Sequence, residues 1–105
     1  MKPRVRIEPE ALEELRAARD WYNERRDGLG RQFVEAASEA VSRIRSMPNS
    51  GTPVPGVPLD LEVRRVFVQR FPYSAVFIEL EDSISVVAFA HMKRRPGYWL
   101  RRMKP

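Results

Sequence analysis

His91 is the only histidine in a sequence of 105 residues, and it opens a carboxy-terminal run containing Lys93, Arg94, Arg95, Arg101, Arg102 and Lys104 without a single acid. Tyr98 and Trp99 sit inside that run, just after a Pro96-Gly97 pair that imposes a turn. Arginines interleaved with aromatics suit phosphate or carboxylate, because the guanidinium fork makes paired planar hydrogen bonds while rings stack or fill pockets. Nucleic acid or an acidic protein is the partner such a surface selects. A merely solvated basic end is the competing reading. Sixteen of the 19 basic residues are arginine, which favours fork-like recognition over point charges. The absence of cysteine removes thiol nucleophiles, disulfides and Cys/His zinc sites, so no metal or cofactor is expected.

The body that must carry this tail is almost neutral. Residues 1–90 hold 13 basic and 14 acidic residues, so the formal net charge of +5 originates in the tail. The length is that of one domain, taken as residues 1–105. No run of about eighteen apolar residues occurs, and Met1-Lys2-Pro3-Arg4-Val5-Arg6 lacks the apolar core of a signal peptide, so a soluble, cytoplasmic protein is expected, without a membrane partner.

The periodicities give an α+β order. Arg4-Val5-Arg6-Ile7 alternates basic and apolar residues and predicts a short strand. Pro9 and Glu10 then open a helix whose stripe is Ala11, Leu15, Ala18 and Tyr22, with Glu10, Glu13 and Glu14 suited to its positive end. Tyr22 is expected on the core and Trp21 at its edge. Asp27-Gly28 ends this helix, a second stripe follows at Phe33, Ala37, Ala40, Ile44 and Met47, and Pro48 stops it. Two such helices joined by a short turn form an antiparallel hairpin. Residues Pro48 to Pro58 hold four prolines and two glycines and read as an irregular connection. Leu61–Phe71, Tyr73–Leu80 and Ile84–His91 read as a three-stranded antiparallel meander. The last two strands are apolar on both faces, so both faces need cover. The helices supply one side; the tail, the long loop or a partner must supply the other.

Arg64-Arg65, Arg70-Phe71-Pro72-Tyr73, Val87-Ala88-Phe89-Ala90-His91 and Arg95-Pro96-Gly97-Tyr98-Trp99 with Arg102, in this order, resemble the RelE/ParE superfamily of toxins from bacterial type II toxin-antitoxin modules. Ala11, Leu15, Trp21-Tyr22, Gly30, Phe33, Pro48 and Gly51 extend the resemblance over nearly the whole chain. It implies a strand, a helical hairpin and a meander forming one antiparallel sheet with helices on one face. It also implies one of two activities: cleavage of messenger RNA on the ribosome, or poisoning of DNA gyrase without a known hydrolytic site.

RNA cleavage by the 2′-hydroxyl needs a base, a cationic clamp on phosphate and an acid for the leaving oxygen. The lysine-dependent form of that site has no counterpart, since only Lys2, Lys93 and Lys104 occur. A second RelE-like pattern implies Glu62 as base, Arg65 or Arg70 on phosphate, His91 as acid, and Tyr98. Glu62 also reads as a cross-strand partner of an arginine, and His91 as a structural strand-end residue. The scarcity of lysine and the aromatic-arginine tail resemble the ParE and plasmid-stabilisation branch more closely. That branch implies inhibition of DNA gyrase and neutralisation by a cognate antitoxin, with a ribosome-dependent mRNA endoribonuclease and a basic nucleic-acid-binding module as alternatives. Arg94, Arg95, Tyr98, Trp99, Arg101 and Arg102 are then the expected target-binding surface. An extended, partly disordered antitoxin segment is expected to cover the sheet, including its uncovered apolar face, and the helical-hairpin surface, and to carry acids toward the basic tail.

Overall fold

The computed structural model describes residues 3–103, so Lys2 and Lys104 of the basic count lie outside the described residues. Strand β1 (Arg4–Ile7) leads into helix α1 (Pro9–Arg25) and helix α2 (Leu29–Ser46). Pro9 occupies the first turn of α1, where its missing N–H is no loss. Gly28 takes a left-handed φ of 86° between the helices, which lets α2 turn back at once. The hairpin closes tightly at Gly30, whose N–H donates to Asn23 Oδ1 at 2.8 Å. The stripes predicted for both helices face the core, with Ala11, Ala18, Phe33, Ala37, Ala40 and Ile44 all buried, except at Met47, which lies just past the end of α2 as its C-cap and is exposed. Tyr22 packs against Phe33 and Phe71, while Trp21 stays half exposed at the rim.

The segment after Pro48 is largely irregular but contains a two-residue strand, β2 (Thr52–Pro53), before β3 (Arg64–Val68), β4 (Tyr73–Glu79) and β5 (Ser83–His91). The sheet order is β1-β5-β4-β3-β2. β2 through β5 pair antiparallel, yet β1 lies parallel to β5, so the sheet is mixed rather than wholly antiparallel. The cause is α1 and α2: a helical hairpin returns the chain to the far side of the sheet, and the meander then ends beside β1 in the same direction. β5 becomes a central strand and is buried from Ile84 to Ala90.

β1 stops at Ile7, level with Val86, so the outer edge of β5 is unpaired beyond that point. Two side chains take over the ladder. The Val87 carbonyl accepts from Arg102 at 3.0 Å, and the Phe89 N–H donates to Glu14 at 3.1 Å. Arg102 and Glu14 thus serve the donor and acceptor roles that a longer β1 would supply. No helix among the described residues is long and apolar enough to cross a membrane.

The helix-free face of the sheet corrects the sequence-based expectation. Trp99, 1% exposed, lies on Val76, Val87, Ala88 and Ala90, joined by Val54 and Val63 from the loop and by Leu100 and Met103 from the tail. The chain's own tail therefore covers most of this face, and no broad apolar seat is left there for an antitoxin. One corner, at Phe67 and Met92, stays open.

Candidate functional site

Glu14 organises the tail. It projects from α1 on the buried stripe, three residues after Ala11 and four before Ala18. Its carboxylate accepts from the Tyr98 hydroxyl at 2.5 Å and from both Arg102 guanidinium ends at 2.9 and 3.0 Å, in addition to the Phe89 N–H. Glu10 stands 3.7 Å from Arg102 Nε and adds a second negative charge. Burial, then the hydrogen bond to Glu14, pushes the Tyr98 hydroxyl far above its ordinary range. The same hydrogen bond raises Arg102, against the opposing effect of burial. Tyr98 is accordingly a permanent neutral donor, and Arg102 a permanent cation.

Two depressions flank Tyr98. The larger, about 600 Å³, runs between α1 and the ends of β4 and β5, with Trp21, Tyr22, Tyr73, His91 and Arg94 in its walls. Arg25 lies over the Trp21 ring at 3.5 Å and Arg94 over Tyr98 at 3.9 Å, so two of the cleft's aromatic rings each carry a cation on one face. Tyr73 and His91 meet edge to face at 5.0 Å. Burial raises Tyr73 and Tyr22 above the usual phenol value as well. The smaller depression, about 40 Å³, opens on the helix-free face between Arg65, Ser74 and the tail.

These positions sort the sequence-based candidates. Arg65, His91 and Tyr98 do come together around the smaller depression. Glu62 does not. His91 is level with Tyr73 and Val68, Arg64 stands four residues away along β3, and Glu62 lies still further, before the strand begins. At about 3.3 Å per residue the separation exceeds roughly 13 Å, too far for a base and an acid acting on one phosphate. Glu62 makes no ion pair among the described residues and holds a left-handed φ of 51°, so the expected cross-strand pairing with an arginine is absent. Arg70, at φ 71°, sits in the β3–β4 turn outside both depressions. His91 Nδ1 accepts from the Lys93 N–H at 3.0 Å, which leaves Nε2 to carry the neutral ring's proton.

The expected target-binding set divides as well. Arg94, Arg95 and Arg101 are exposed. Trp99 is core, and Arg102, whose side chain is 11% exposed, is committed to Glu14 and Val87, so neither is a surface contact. Sequence reasoning missed Glu14, which it assigned to the helix dipole. The signal was present: a carboxylate on the apolar stripe of a helix needs a buried cation or donor.

A family model described as the ParE toxin of the type II toxin-antitoxin system parDE matches residues 5–96, the strand, the hairpin, the meander and the start of the tail. The chain belongs to the ParE toxin family. As a ParE family member it is a toxin of the type II class. Its fold is similar to a solved chain from the chromosomal ParDE TA system of P. aeruginosa, with a TM-score of 0.73 and 23% identity over 86% of this chain and 96% of that one. No curated protein sequence matches. The exposed Arg94 and the rings of the larger cleft offer positive charge and stacking surface.

Proposed function

We infer that this ParE family toxin acts by binding DNA gyrase, holding the enzyme with its DNA cleaved, and that a cognate antitoxin neutralises it. The reading places its action in the cytoplasm and requires no metal or cofactor. The observation that carries it is the fate of the carboxylates: Glu62 is remote from His91, and Glu14 beside Tyr98 already accepts hydrogen bonds from Phe89, Tyr98 and Arg102. A general base needs a free lone pair within reach of the proton it removes. Binding needs only the exposed cations and rings that this chain presents. The ParDE composition of the P. aeruginosa relative supports an antitoxin as the partner.

The test uses the purified full-length protein in a gyrase supercoiling assay and in a translation-coupled RNA cleavage assay, with the product of the adjoining open reading frame added as antitoxin. Loss of supercoiling with accumulation of cleaved DNA, reversed by that product and without mRNA cleavage, is the expected result. Ribosome-dependent cleavage with gyrase unaffected overturns it in favour of an endoribonuclease. Nucleic-acid binding with neither effect leaves only the basic-module reading.

A further inference from the structure

The open corner of the helix-free face has a chemistry that the core of that face lacks. Phe67, Ser74 and Ala90 stand in one cross-strand row, and Phe67 and Met92 beside it are 44% and 46% exposed. Arg65, two residues before Phe67 on the same face of β3, holds its guanidinium carbon 5.1 Å from the Phe67 ring centre. Arg65 Nε is buried and has no hydrogen-bond partner among the described residues. Arg65 lines the small depression of about 40 Å³ together with Ser74, His91, Arg94 and Arg95. None of these three arginines makes a salt bridge among the described residues. A buried guanidinium N–H without an acceptor is costly, and three unpaired arginines around one small space repel each other until an anion enters.

The depression is small, about 40 Å³, and the groups beside it select the ligand. A carboxylate is planar and ends a side chain, whereas a phosphodiester carries four oxygens around phosphorus and continues on two sides. The exposed Phe67 and Met92 beside the arginines match an apolar side chain of a peptide, not a phosphate-sugar backbone.

We propose that this depression receives the carboxylate of an aspartate or glutamate on an extended antitoxin segment, with a neighbouring apolar side chain of that segment lying across Phe67 and Met92. The proposal rests on the antitoxin-neutralised reading above and locates its acidic contact. Arg65 donates from its fork, Arg94 and Arg95 close over the carboxylate from the tail, and Ser74 adds a hydroxyl donor.

Two measurements test it on the full chain. In the first, sodium acetate is titrated while the Nε–Hε resonance of Arg65 is followed by NMR. Saturation by acetate at a lower concentration than by inorganic phosphate or an oligouridylate is expected; no saturable shift, or saturation first by either phosphate probe, overturns the proposal. In the second, affinity for the product of the adjoining reading frame is compared between wild type, Arg65→Lys and Arg4→Glu, an exposed control on the β1 edge of the sheet. A loss of tenfold or more for Arg65→Lys alone is expected, and an unchanged affinity overturns it. Arg95→Gln, at an exposed position, supplies the same comparison if Arg65→Lys does not fold. Acetate saturation without any bound antitoxin refutes the partner while leaving the carboxylate pocket in place, so the two failures are distinguishable.

Discussion

Glu14 and Arg102, 88 residues apart in sequence, meet through two hydrogen bonds of 2.9 and 3.0 Å and close the amino-terminal helix onto the last turn of the chain. The pair is mostly buried, with side-chain exposures of 20% and 11%. Removing one partner leaves the other's charge in a poor solvent, an effect of about 3–5 kcal/mol in fully buried pairs. With part of this pair still solvated, we expect Arg102→Ala and Glu14→Gln each to lower unfolding free energy by about 2–3 kcal/mol. The double variant should lose less than the sum, because neither orphan then remains; denaturant titration of all four proteins measures the coupling.

Trp99 is the second lock. Its ring fills the helix-free face at 1% exposure, so Trp99→Ala should cost about 3–5 kcal/mol and raise binding of an apolar dye. Truncation after Met92 removes Trp99, Leu100 and Met103 together and should prevent folding. A truncated chain with a cooperative thermal transition near that of wild type refutes the assignment of the tail to the core.

The hairpin offers a third test at Gly30. A methyl group there would stand 2.4 Å from the Arg19 carbonyl oxygen and 2.6 Å from the Asn23 side chain. The first of these is helix backbone and cannot yield without moving α1. Gly30→Ala should therefore destabilise by roughly 1–3 kcal/mol, despite alanine's better helix propensity, and thermal unfolding reports it directly.

Most of the fold was legible from local pattern. The stripes Ala11-Leu15-Ala18-Tyr22 and Phe33-Ala37-Ala40-Ile44 specify helices with one buried face, and the strand runs of the meander were placed within a few residues. What local pattern does not carry is pairing across long sequence separation. Nothing in Arg4-Val5-Arg6-Ile7 indicates which strand it joins or in which direction, and its shortness is what leaves Val87 and Phe89 to side-chain partners. For the candidate site, the charge count identified the basic tail but treated its residues alike. Arg101 and Arg102 are adjacent and equally cationic; only the position of Glu14 distinguishes a surface arginine from a buried one.

The tyrosines predict an alkaline limit. Burial and the Glu14 carboxylate hold the Tyr98 proton well above the ordinary phenol value of 10.0, whereas the unfolded chain releases it near that value. Above about pH 10 the folded state thus binds more protons than the unfolded one, and stability falls as pH rises. Tyr22 and Tyr73, raised chiefly by burial, contribute in the same direction. Denaturant unfolding from about pH 8 to about pH 11 should show this decline. Tyr98→Phe should be less stable near neutrality, by about 1–2 kcal/mol for the lost hydrogen bond, and flatter above pH 10.

Arg101 and Arg102 separate folding from toxicity. Arg102→Glu places a third carboxylate beside Glu14 and Glu10 and removes the donor to the Val87 carbonyl, so it should abolish folding and growth arrest together. Arg101 is exposed and makes no ion pair among the described residues, so Arg101→Glu should leave the melting temperature close to wild type. If the exposed arginines form the target contact, Arg101→Glu combined with Arg94→Glu should nevertheless relieve growth arrest, since arginine anchors contribute about 2 kcal/mol or more each to an interface. His91→Ala and Glu62→Ala, which remove the proposed acid and base of a nuclease, should leave arrest intact. A folded Arg94→Glu/Arg101→Glu protein that still arrests growth moves the target contact off the tail, toward Trp21 on the α1 wall of the larger cleft and the Arg25 stacked on its ring. Loss of arrest in His91→Ala at unchanged melting temperature assigns the ring a chemical role instead, which a translation-coupled cleavage assay on that variant then has to show.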